Sequence, residues 1–95
     1  MMEARDVLKR PVITERATSQ LEEGKYTFEV DPAATKIDIK NAVEEIFKVD
    51  VIKVATLRVP GKLKRVGRHV GRTSDWKKAI VTVKKGQRIP FFEGA

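Results

Sequence analysis

Ten basic residues stand between Arg58 and Lys85: Arg58, Lys62, Lys64, Arg65, Arg68, Arg72, Lys77, Lys78, Lys84 and Lys85. Asp75 is the single acid among them, so the run carries +9 in a chain of net charge +7, and the remainder sums to −2. Lys62, Lys64, Arg65, Arg68 and Arg72 alternate with Gly61, Gly67 and Gly71 over 60–75. The chemistry this pattern suits is the grip on phosphate. Arginine offers a planar fork for two phosphate oxygens, and lysine a point charge. Glycine admits tight turns and close backbone approach. Cations two to four residues apart present charge on both sides of an extended hairpin. A merely solubilising loop would mix both signs. His69 reads as an RNA-stacking or hydrogen-bonding side chain, not a catalyst. Trp76, where the run re-enters regular structure, is able to stack on a base, but a lone Trp at a strand start more often covers the end of a core, and that reading is favoured here.

Other chemistries find no support. Gly67-Arg-His-Val-Gly71 lacks the Lys-Ser/Thr ending of a phosphate-binding loop, and a dinucleotide fingerprint fails as well. The pairs Glu22-Glu23 and Glu44-Glu45 are adjacent on helices, so their members diverge. Tyr26 and Phe28 lack the glycine-containing motif of an RNA-recognition sheet and read as core. With no Cys and one His, thiolate and zinc sites are not expected. No enzyme activity, cofactor or metal is expected. The apolar runs are too short to span a bilayer, and the glycines oppose a basic surface helix, so no membrane insertion is expected. The N-terminal MMEARDVLKRP has no signal-peptide core, which suggests the cytoplasm. A pI near 9.9 points to nucleic acid.

The elements that must position the cations follow from periodicity. Thr14 to Glu23 predicts a short helix with Thr14 as N-cap and Gly24 as stop. Tyr26, Phe28 and Val30 alternate as a half-buried strand, ended by Asp31-Pro32. Thr35 and Asp38 have capping-box spacing. Ile39, Ala42, Val43, Ile46 and Phe47 then form one apolar helix face, with Glu44 and Lys48 placed to pair. A long strand is expected from Val49 to Val59, with either a bulge or two-sided burial where the apolar phase shifts at Val51-Ile52. Trp76 to Val83 is its partner, with Ala79, Val81 and Val83 on one face. A short strand at Asp6 to Leu8 and a loosely packed or partner-bound tail from Gln87 complete the chain. The expectation is one domain over 1–95 of α+β class: a mostly antiparallel sheet packed with helices, with a long basic hairpin loop extension at about 60–75.

LKRPVITERA, KYTFEVDPAATKIDIKNAVEEIFKV and VPGKLKRVGRHVGRTSDWKKAIVTV stand in this order along the chain. Together they resemble the bacterial large-subunit ribosomal protein twenty-three family, from about Asp6 to Gly86. The most specific stretch is Gly61 to Val81. The resemblance implies a structural protein that binds large-subunit rRNA at the exit of the nascent-polypeptide tunnel. It implies neighbouring large-subunit proteins, trigger factor and signal recognition particle as partners, and the nascent chain near the loop tip. It implies rRNA contacts from Arg58, Lys62, Lys64, Arg65, Arg68, His69, Arg72, Trp76, Lys77 and Lys78. Chaperone docking falls on Ile13, Thr14 and Glu15, where Thr14 replaces the family's usual Ser and Arg16 its usual Lys. The isolated chain is expected to be a monomer. The charge asymmetry agrees: acids gather in the first half and cations in the second, as in a two-faced molecule. The competing readings are a free-standing nucleic-acid-binding regulator or architectural protein, and a small α+β hydrolase of an anionic substrate. The latter is weak, because Asn41, the only Asn, lies within a predicted helix.

Overall fold

The computed structural model describes residues 3–61, 63–72 and 75–89; at 63–66, 69 and 72 it describes the backbone course. The elements run α1 (Ala4–Val7), β1 (Leu8–Pro11), α2 (Glu15–Ser19, continued by a 3₁₀ turn at Gln20–Glu23), β2 (Lys25–Val30), α3 (Lys36–Phe47), β3 (Val51–Val59), β4 (Leu63–Val66), β5 (His69–Arg72) and β6 (Trp76–Val83). Four strands form an antiparallel sheet in the order β1-β2-β6-β3. The fold is α+β, with helices packed on the sheet.

The strand expected at Asp6 to Leu8 is a helical turn instead. The Asp6 and Val7 N–H groups both donate to the Glu3 carbonyl, at 2.9 and 3.2 Å. Val7 is thereby delivered, fully buried, to the core, and pairing starts at Leu8 opposite Val30. Thr14 caps α2 as expected, its hydroxyl accepting from Ala17 N at 3.1 Å. The helix then tightens to a 3₁₀ turn after Ser19, and Ala17 is the only buried residue of its α-helical part. Gly24 ends it in the left-handed conformation (φ 75°), where other residues are strained.

α3 carries the complete capping box. Asp38 N donates to the Thr35 hydroxyl at 3.2 Å, and Thr35 N donates to the Asp38 carboxylate at 3.0 Å. Ile39, Ala42 and Val43 are buried against the sheet, and Phe47 stacks on Phe28 with centroids 5.8 Å apart. Ile46, placed on the apolar face by periodicity, is 42% exposed. Lys48 turns left-handed there (φ 57°), and Phe47 and Val49 close that end of the core instead. Glu44, spaced to pair with Lys48, accepts the Val51 N–H at 3.0 Å and so ties the helix to the start of β3. Of the two alternatives at Val51-Ile52, the bulge is the one present: the register slips between Val51 and Lys53, leaving Ile52 unpaired and exposed.

The core lies on one face of the sheet, from Tyr26, Phe28 and Val30 on β2, Ala79, Val81 and Val83 on β6, and Val51 on β3. Ile89, beyond β6, is fully buried in it, so the tail is tied down at least that far; Phe91 and Phe92 lie outside the described residues.

The hydrogen bonds from Thr35, its backbone N–H foremost and its hydroxyl after that, hold the Asp38 carboxyl below its ordinary value of 3.8. A depressed folded-state value means that this contribution to stability is full above pH 3.8 and is lost as pH falls through the lower folded value. Acid titration of the unfolding midpoint is therefore expected to show a steeper loss below pH 3.8 for the wild-type chain than for Asp38→Asn. Parallel curves exclude this carboxylate as a contributor.

Candidate nucleic-acid interface

β3 leaves the sheet at Val59 and β6 re-enters at Trp76, directly opposite. At this root the Asp75 carboxylate accepts the Gly61 N–H at 2.7 Å. The one acid of the cationic run thus closes its base. Beyond the root, β4 and β5 pair with each other in a separate two-stranded ribbon. The pairs are Leu63–Arg72, Lys64–Gly71, Arg65–Val70 and Val66–His69. The two-residue turn Gly67-Arg68 has a positive φ of 60° at Gly67 and none at Arg68, the pattern of a type II′ hairpin turn, which requires glycine first.

The register distributes the expected phosphate ligands. Lys64, Arg65, His69 and Arg72 occupy paired ribbon positions, Arg68 is exposed in the turn, and Lys62 lies outside the described residues. Arg58, Trp76, Lys77 and Lys78 stand at the root and are split between two faces. Lys77 stands on the helix-packed face, opposite Arg58 on one side and Val30 on the other. Like charges directly opposite repel, and Lys77 turns away, donating from Nζ to the Ala34 carbonyl at 2.6 Å. Arg58 is exposed.

Trp76 and Lys78 belong to the other face. The core reading of Trp76 is overturned: it is only partly buried and is not part of the apolar cluster. Strand alternation is the reason, since Ala79, Val81 and Val83 face the core and force even-numbered residues of β6 away from it. This second face is covered at β2, where Thr27 is buried and α2 sits against the strand, bringing the buried Ala17. Over β3 and β6 it is open. Leu57, 49% exposed, stands opposite Lys78, Ala55 opposite Ile80, and Lys53 opposite Thr82. Glu29, on the other side of Lys78, is bound by Arg10 at 2.7 Å. Lys53, Leu57 and Ile80 escape a count of charge along the chain; the two-residue period of β3 and β6 was the signal for them.

Ile13, Thr14 and Glu15 are consecutive and exposed at the start of α2, with Ile13 53% exposed. The Thr14 hydroxyl is engaged in capping. Among the described residues, no three His, Asp or Glu side chains gather as a metal site requires. A groove between the 3₁₀ turn and the turn after β6 has Leu21, Tyr26, Glu22 and Lys85 in its lining, without a nucleophile beside a base.

A sheet packed mainly on one face, a cationic ribbon and exposed acidic residues on the helices define a small basic α+β protein with its positive charge concentrated on one arm. A family model described as ribosomal protein L23 matches residues 6–91. A large ribosomal subunit protein uL23 from Desulfitobacterium hafniense (strain DSM 10664 / DCB-2) is 64% identical over 94 residues, 99% of each chain. Proteins of the same name from Heliobacterium modesticaldum and Symbiobacterium thermophilum are 58% and 55% identical, over 94% of both chains in the first case and 98% of this chain and 99% of the relative in the second. The chain belongs to the ribosomal protein L23 family. It is a structural, non-enzymatic protein of the large ribosomal subunit, in the bacterial cytoplasm.

Proposed function

We propose that the chain anchors itself on large-subunit rRNA through the ribbon β4–β5 and its root, at the nascent-polypeptide tunnel exit, and offers Ile13, Thr14 and Glu15 as a docking patch for trigger factor, with signal recognition particle in the same neighbourhood. Neighbouring large-subunit proteins and, near the ribbon turn, the nascent chain complete its partners. The observation that carries the reading is the concentration of Lys64, Arg65, Arg68 and Arg72 on one two-stranded ribbon whose only acid, Asp75, is engaged at its base. The resemblance to the family supports the location and the docking roles. Gradient sedimentation of cell lysate tests the assignment: the chain travels with the large subunit, whereas a free-standing nucleic-acid regulator would stay in the light fractions.

For the docking patch, Glu15→Ala is expected to reduce recruitment of trigger factor to purified ribosomes several-fold, as loss of one charge-assisted contact does. Subunit assembly is expected to be unchanged, because the cap is supplied by Thr14. Equal recruitment by both forms removes Glu15 from the docking surface.

A further inference from the structure

β3 is an edge strand, and the ladder shows which of its backbone groups face outward. The Val83 N–H donates to the Gly24 carbonyl, on the β2 side. Odd-numbered residues of β6 therefore bond β2, and even-numbered ones bond β3. The β3 partners of those even residues are Lys53, Ala55, Leu57 and Val59. The N–H and C=O groups of Val54, Thr56 and Arg58 thus point away from the sheet. Val51, before the bulge, also points outward, and the Glu44 carboxylate covers its N–H at 3.0 Å. Among the described residues, no backbone group does the same for the other three. The opposite edge is blunted by its own sequence, since β1 has four residues and ends in Pro11.

An open row of alternating donors and acceptors is a template for another strand. A phosphate chain offers acceptors alone and does not match it. A second copy is opposed by charge, because β3 contains Lys53 and Arg58 and no acid, and like charges across a ladder repel. At the start of β3 the bulge leaves Ile52 66% exposed. There it lines the groove with Leu21 and, from the turn after β6, Lys84 and Lys85; Glu22 and Glu23 stand on the far wall.

We infer that the outer edge of β3 and this groove form one docking site for an extended segment of a neighbouring large-subunit protein, added as a fifth strand. The inference rests on the reading that such neighbours are partners of this chain, and adds where one of them binds and by what chemistry. Every pair in this sheet is antiparallel, and an antiparallel addition brings the C-terminal half of the segment to the groove. Backbone hydrogen bonds to Val54, Thr56 and Arg58 supply affinity, and the groove supplies specificity. The segment suited to it has an apolar side chain to cover Ile52 and Leu21, and an acid to meet Lys53, Lys84 or Lys85. Only the backbone of Arg58 is used, so its side chain stays available to RNA.

Amide hydrogen exchange of β3, in the isolated chain and in purified large subunits, tests this. The Ala55, Leu57 and Val59 amides are expected to exchange slowly in both. Those of Val54, Thr56 and Arg58 are expected to exchange freely in the isolated chain and to become protected in the subunit. A photoreactive phenylalanine placed at position 52 is expected to cross-link, in the subunit, to a protein segment that carries an acidic residue. Thr56→Pro removes an outward N–H and no bond to β6. It is expected to lower the cross-link yield about 10-fold, the upper range for one backbone hydrogen bond, with rRNA affinity retained. Ala55→Pro removes a bond to β6 instead and is expected to lower the unfolding midpoint. The exchange measurement uses the wild-type chain, so it decides the matter even if Thr56→Pro does not fold. Unprotected Val54, Thr56 and Arg58 amides in the subunit, or cross-links to RNA or to a second copy alone, overturn the inference. Absence of the wild-type chain from purified large subunits overturns the underlying reading instead.

Discussion

Arg65, Arg68 and Arg72 changed together to Gln are expected to lower affinity for large-subunit rRNA by about 100-fold or more at near-physiological salt, and to reduce the salt slope by roughly 2 to 3. Each guanidinium lost removes one released counterion and up to two charge-assisted hydrogen bonds to phosphate. Three of the ribbon's positive charges go at once, while Gly67 keeps the turn and Asp75 keeps the base closed. The three residues lie on the ribbon and its turn, outside the four-stranded sheet, so the unfolding transition is expected to move little. Filter binding across a salt series, paired with thermal melts, measures both. Undiminished affinity in a folded variant takes the RNA anchor away from this ribbon.

Ile39→Ala is expected to have the opposite profile. Ile39 is fully buried on α3 at the centre of the core. Its truncation removes buried methylenes and leaves a cavity that the sheet cannot fill, at a cost of about 2–5 kcal/mol. Against a total near 5–15 kcal/mol for a domain, that is a large fraction. Urea unfolding is expected to show a lower midpoint at an unchanged slope. RNA affinity, measured where the variant is still folded, is expected to be retained, because α3 packs on the face opposite Trp76 and Lys78. A loss below about 0.5 kcal/mol would mean that the helix is not seated as described.

Local chemistry was the most legible part of this fold. The Thr35–Asp38 box, the Thr14 cap and the Gly24 stop are each written by a few neighbouring residues, and each forms as spelled; the phase shift at Ile52 marked an irregularity that the register resolves as a bulge. Legibility ended where the outcome depends on distant partners. Glu44 had a suitable lysine one turn away, yet the unpaired Val51 N–H next to it in space took the carboxylate. Ile46 had the right phase but lies where the helix runs out. For the candidate site, the cationic run was visible as composition, and its division followed from the two-residue period of β6. Trp76, Lys77 and Lys78 are consecutive in sequence, and with Ala79, Val81 and Val83 on the core face the middle one goes to the helices and its neighbours to the open face. What the period could not give is which residues of β3 stand beside them, because the bulge at Ile52 resets the phase and the partners wait for the register.

The strand order has a mechanical consequence. Of the two strands that lead into the ribbon, β3 lies at the edge of the sheet, but β6 is held on both sides, by β2 and by β3. A pull along the ribbon therefore loads two hydrogen-bonded ladders in shear, where many bonds must fail together rather than one after another. The return leg of the ribbon works as a tie-rod set into the middle of the sheet, so tension on the cationic arm spreads through the body before it can peel an edge strand away.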